Sequence, residues 1–276
     1  MKKTLCVLGL ALVAFAGTGC NKLKSRDALN QGVQAYKAAK YPQAVDYFKT
    51  SVQLDPENQN GRLYLATAYM SQYIPGADTP ENVQMAKQAK DEFERVLEKN
   101  ANDRIALASL ASLAYQQAQG VTELEKKFQR LDEAKVWYKK LVAADPQNKE
   151  AYYSLGVIDW AETYPVRTTA RVKLGMKPED PGPIKDKKVK EELRTRNMPL
   201  VEDGVQQLQK ALEIDPNYDD AMAYLNLIYR ERADLADSPE AYKKDSDVAD
   251  SWVQKSLDTR KMKAAKQPVT GISNDK

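Results

Sequence analysis

One nine-residue phrase returns along this chain. It reads FKTSVQLDP at 48–56, YKKLVAADP at 138–146 and LQKALEIDP at 208–216, with degenerate copies FERVLEKNA at 93–101 and VQKSLDTRK at 253–261. Each copy spaces its apolar residues as the end of an amphipathic helix does. Asp-Pro then stops the helix, because proline has no amide hydrogen for the ladder and disfavours the helical region for the residue before it. Ahead of each phrase lies a second run with helical spacing: Leu63, Leu65, Ala66 and Tyr69; Leu107, Leu110, Ala111 and Ala114; Tyr152, Leu155, Gly156 and Trp160. A chain that repeats helix, turn, helix and stop folds as a stack of helical hairpins, because no single hairpin can bury its apolar face alone.

Five units follow from this reading: 25–58, 59–103, 104–148, 149–218 and 219–263. The first has 34 residues, the length of a tetratricopeptide repeat. The chain resembles that family at specific positions. Small residues stand where the two helices of a hairpin would cross: Gly32 with Ala44, Ala66 with Ala89, Ala111 with Ala134, and Gly156 with Gly204. In the fifth unit Ala249 fits and Asn226 does not. A larger residue four positions after the second small one seals each hairpin: Phe48, Phe93, Tyr138, Leu208 and Val253. The resemblance implies an all-α, right-handed solenoid of about five hairpins over 25–263, its weak last unit acting as a cap.

The units differ in length. Extra residues fall between the helices at 73–83, 118–128 and 233–243, and these are expected to extend the helices. Thr79-Pro80 and Ser238-Pro239 read as a cap followed by a first-turn proline. The fourth unit carries a long insertion, 163–198, whose middle, 175–184, reads as a loop. The tail, 264–276, has no apolar pattern and is expected to be disordered.

The first nineteen residues read as an export signal. Lys2 and Lys3 precede an apolar run from Leu5 to Ala16, and small residues lead to Cys20. The run is short of the roughly 20 residues a spanning helix needs. Cysteine after small residues resembles a bacterial lipoprotein signal. That resemblance implies lipidation at Cys20, a linker over 20–24, and a place in the cell envelope, at the outer membrane facing the periplasm. Two other readings of the same residues stay open: Ala14-Phe15-Ala16 as an ordinary cleavage site that releases a secreted protein, or an uncleaved anchor.

Charge and composition narrow the function. The chain has 276 residues and no histidine, which excludes Ser-His-Asp and Cys-His catalysis and histidine-held metals. Its two cysteines, Cys6 and Cys20, make no disulfide scaffold. Without residues 1–19, which hold two lysines and no acid, 40 basic residues face 39 acidic ones. Near neutrality argues against nucleic acid as a partner. Glu191-Glu192 and Asp219-Asp220 are neighbours in sequence and do not face each other on a helix. No enzyme activity, cofactor or metal is expected, and Asp159 and Glu162 read as exposed helix charge.

The resemblance implies that first helices line a concave surface that binds protein or peptide partners. The family's late groove position falls on Tyr36, Met70, Tyr115, Trp160 and Arg230, and its middle position on Val33, Thr67, Ser112, Val157 and Leu227. Members that grip a terminal carboxylate use asparagine and lysine there, so these residues favour apolar anchoring instead. The alternative is that the same side chains pack between repeats. A second candidate is the basic insertion. Arg167, Arg171, Lys173, Lys185, Lys187, Lys188 and Lys190 offer contacts to glycans, lipid headgroups or an acidic protein, against the reading of a solvated loop.

Overall fold

The computed structural model describes residues 2–177, 180 and 182–266, with side chains from residue 20 onward. Among the described residues all regular structure is helical. The elements are α1 (Lys2–Lys37), α2 (Tyr41–Leu54), α3 (Gln59–Met70), α4 (Pro80–Lys99), α5 (Arg104–Gln119), α6 (Leu124–Ala144), α7 (Lys149–Lys173), α8 (Lys187–Ile214), α9 (Asp219–Asp234) and α10 (Pro239–Lys266). The chain divides into two compact units, Met1–Lys140 and Leu141–Lys276.

The turns between hairpins share one construction. The amide of Asp55, Asn100, Asp145 and Asp215 donates to the carbonyl four residues back, and the amide three residues on donates to that residue's own carbonyl. Asn100-Ala101 therefore makes the same turn as the three Asp-Pro copies. The next helix starts at once because Asn58, Asp103 and Asn148 accept amide hydrogens of its first turn. Thr79 and Ser238 cap α4 and α10 in the same way.

The expected crossings are tight. Ala44, Ala66, Ala89, Ala111, Ala134 and Ala249 are fully buried. A β-carbon on Gly32 would lie 2.4 Å from the Phe48 ring. One on Gly156 would lie 2.5 Å from Leu208 Cγ and 3.0 Å from the Gly204 carbonyl oxygen. One on Gly204 would lie 2.2 Å from Ile228 Cδ1.

The extra residues in the second, third and fifth repeats do not simply lengthen helices. In the second repeat most of them form a loop, because Gly76 takes a left-handed φ of +81° and the Asn82 side chain pins the loop through Ile74 and Ala77. The rest lengthen the second helices, which run 20, 21 and 28 residues in α4, α6 and α10 against 14 in α2. Two boundary expectations change. Residues 20–24, read as a linker, are helical and continue into α1, and 264–266, read as tail, close α10. Residues 267–276 lie outside the described residues, as do the side chains of 1–19.

An apolar core lies in the first unit. It runs from Ala35, Ala44 and Phe48 through Leu65, Tyr69, Ala89 and Phe93 to Leu110 and Leu113. The second unit has a main core around Val201, Leu208, Leu225, Ile228 and Ala249, and a satellite around Ile184, Leu193 and Leu235. That satellite holds down the long insertion. α7 and α8 both run on into it, and the loop between them folds back to bury Ile184, whose amide donates to the Asp234 carbonyl at 3.0 Å.

Candidate functional site: an aromatic strip and a buried ion cluster in the second unit

The first-helix positions named from sequence meet different fates. Tyr36 is half-buried, its hydroxyl shares a 2.8 Å hydrogen bond with Ser71, and its ring packs on Tyr41. Met70 is half-buried against the first unit's core, so it fills space. Tyr115 is half-buried in α5. Val157 is buried, because α7 presents that face to its neighbours rather than to solvent. Arg230 is exposed, but its guanidinium is already held by Asn226 at 2.9 Å and Asp250 at 2.6 Å.

Trp160 lies in a longer aromatic strip shared by α7, α9 and the turn before α9. Its ring centroid is 4.9 Å from Tyr164 and 5.5 Å from Tyr224. Tyr224 is 5.5 Å from Tyr153, and Tyr153 is 5.1 Å from Tyr218. Tilted and edge-on pairs at this spacing are the favourable geometry for aromatic rings. All but the exposed Tyr164 are half-buried. Burial first, then the nearby acids Glu150 and Asp220, push the Tyr218 phenol up to about 12. Burial raises Tyr224 as well. These phenols therefore stay protonated and can donate hydrogen bonds. The sequence reading found Trp160 and missed the four tyrosines. Part of their signal was available, since Tyr153, Trp160 and Tyr164 are spaced seven and four residues apart, near whole helical turns along α7.

The basic insertion departs most from expectation. Arg167 and Arg171 do not face an outside partner. Both are buried. Arg167 Nε donates to Glu231 at 2.8 Å and its Nη1 to Asp234, while Arg171 Nη1 donates to the other Asp234 oxygen at 2.9 Å. The rest of the Arg171 guanidinium holds the loop, donating to the carbonyls of Lys177, Asp180 and Gly182. A five-donor fork suits this work, since it satisfies a carboxylate and several carbonyls at once. Asp159 and Glu162 are also buried rather than exposed, on the α7 face towards α8. Lys173, Lys185, Lys187 and Lys188 are exposed, and Lys190 donates to the Ala236 carbonyl at 3.1 Å. The reason for the correction is long-range pairing. The acids that neutralise the two arginines lie more than sixty residues away, in α9.

Glu231 shows what this burial costs. Removal from water pushes its carboxyl up to about 7, and the charge of Arg167 opposes that shift only in part. Its folded pKa lies above the unfolded carboxylate range, so the native state holds the extra proton between about pH 4.5 and 7. Stability contributed by this group is therefore fully present in acid and is lost as pH rises through 7. Thermal melts from pH 5 to 8 should show that slope, and Glu231→Gln should flatten it. An unchanged slope would place the titration elsewhere.

Among the described residues no group of three histidine, cysteine, aspartate or glutamate side chains is placed to hold a metal ion. No helix there is long and apolar enough to cross a membrane.

No protein-family model matches the sequence, and no curated protein matches it significantly. Solved structures do match. The crystal structure of MamA protein aligns at a TM-score of 0.52 and 14% identity, over 88% of this chain and 96% of that one. The MamA RS-1 ArsTM double mutant aligns at 0.53 and 16%, over 88% and 97%. MamA 41-end from Desulfovibrio magneticus RS-1 aligns at 0.51 and 17%, over 87% and 96%. Identity this low bears on the fold alone. With hairpin after hairpin crossing at buried glycine and alanine and closing in the same turn, the chain has the tetratricopeptide-repeat fold.

Proposed function

We propose that this protein is a lipid-anchored scaffold of the bacterial cell envelope that recruits a protein or peptide segment through the exposed faces of its first helices. The observation that carries the recruiting role is the strip Tyr218, Tyr153, Tyr224, Trp160 and Tyr164. Such rings offer large rigid area with polar handles, as binding hot spots do. Four of the five rings are half-buried against the second unit's core and Tyr164 is exposed, so the strip keeps ring edges open to a partner. The anchoring role is supported by the signal anatomy and by the exposure of Cys20. The anchor is expected at the outer membrane, facing the periplasm.

Two measurements test this. Crosslinking in the native cell followed by partner identification should capture a partner. Trp160→Ala with Tyr164→Ala should reduce that capture by about tenfold or more while thermal melting stays close to wild type, the size of effect a two-residue hot spot carries. Full capture by the folded double variant would remove the strip as the docking face. Mass spectrometry of the mature N-terminus should find acylated Cys20. A chain starting at Gly17 would instead mark the protein as secreted without a lipid.

A further inference from the structure

The fold begins almost at the anchor. Ser25 is fully buried, its hydroxyl donating to the Ser51 carbonyl at 2.8 Å and lying 3.0 Å from the Ser51 hydroxyl. Ala28 and Gly32 follow on the same face, the second pressed against Phe48. Only five positions separate Cys20 from Ser25, and they are helical. That is about 8 Å along a helix and about 17 Å if fully unwound.

The residues in that gap have a particular character. Cys20 to Lys24 and Arg26 are all exposed. Lys22, Lys24 and Arg26 carry three positive charges with no acid among them. None of the three is in an ion pair among the described residues. The nearest acid in sequence, Asp27, accepts from Gln31 at 2.7 Å. Arg26 does line a cleft with Asp55 and Glu57, and Glu57 is paired with Lys99 at 3.2 Å. Between the lysines stands Leu23, 71% exposed, the most exposed large apolar side chain described.

We propose that residues 20–26 are a membrane-contact root. In it Lys22, Lys24 and Arg26 bind the headgroups of anionic phospholipids and Leu23 enters the interface, so that the first hairpin sits directly on the bilayer. Basic side chains next to an anionic surface each add to attachment, and a lipid or apolar anchor supplies the proximity that makes the contact effective. The proposal rests on the anchoring reading above only for that proximity. A short helical gap then has a purpose: it leaves no leash, so the repeats are presented at the membrane surface rather than deep in the envelope space.

The test uses the full chain and flotation with phosphatidylcholine vesicles, with and without phosphatidylglycerol. Wild type should bind the anionic vesicles about tenfold or more tightly than the neutral ones. Lys22→Gln with Lys24→Gln and Arg26→Gln should lose that increment, keep its binding to neutral vesicles and melt as wild type does. A control with Lys37, Lys40 and Lys244 changed to glutamine should keep the increment. Retention of the increment by the first triple variant, or its loss in the control, overturns the proposal. So does equal binding of wild type to both vesicles, including the case where polyglutamate binds the root instead, which would assign it to an acidic protein. An unmodified Cys20 in the native protein together with an intact increment supports the root and removes only the lipid anchor.

Discussion

Replacing Asp234 by alanine is expected to destabilise the second unit by about 3–5 kcal/mol, the cost of removing one partner from a buried charge pair. Asp234 serves both arginines, taking Arg167 on one oxygen and Arg171 on the other. Its removal leaves two buried guanidiniums with Glu231 and a set of carbonyls. Glu231 cannot compensate fully, since burial already pushes it up to about 7. Hydrogen exchange should show lost protection first around Ile184, whose amide bonds to the backbone of the same aspartate. Asp234→Asn should cost less, because one oxygen and the shape survive. Exchanging both arginines and both acids for apolar residues of similar volume should recover much of the stability. If Asp234→Ala melts within about 1 kcal/mol of wild type, the cluster is not what holds the insertion.

The second large effect is steric. Gly156→Val should cost about 3 kcal/mol or more, the upper range for overpacking a tight core. Its first added carbon already meets Leu208 at 2.5 Å and the carbonyl of Gly204 at 3.0 Å, and backbone cannot turn aside as a side chain can. Gly156→Ala should cost less, because alanine regains helix propensity of about 1 kcal/mol. Chemical denaturation of the full chain measures both. A neutral Gly156→Val would mean that α7 and α8 cross less closely than the structure has them. The same crossing bears on the aromatic strip, since Trp160 projects one turn further along α7.

The two effects separate two layers of the molecule. A crossing at small residues, glycine or alanine, recurs in the first four hairpins and was readable from residue spacing, because it depends on residues a fixed distance apart along the chain. The ion cluster joins the insertion of the fourth repeat to the end of α9. Ten basic and five acidic residues in 163–198 looked like a solvated surface. In the fold two of the arginines turn inward, because acids at the end of α9 meet them there. Lys173, Lys185, Lys187 and Lys188 stay exposed.

Local order was legible wherever the cause is local. Helical spacing, the stop at Asp-Pro, the caps at Thr79 and Ser238 and the small residues at the crossings each follow from chain stereochemistry within a few positions, so the hairpins could be read from letters alone. What tertiary structure decided was who neutralises whom and which rings meet. Arg167 finds Glu231 and Trp160 finds Tyr224 only after α7 and α9 come side by side. Pairings across sixty residues depend on where the backbone returns, and no periodicity in the chain encodes that distance.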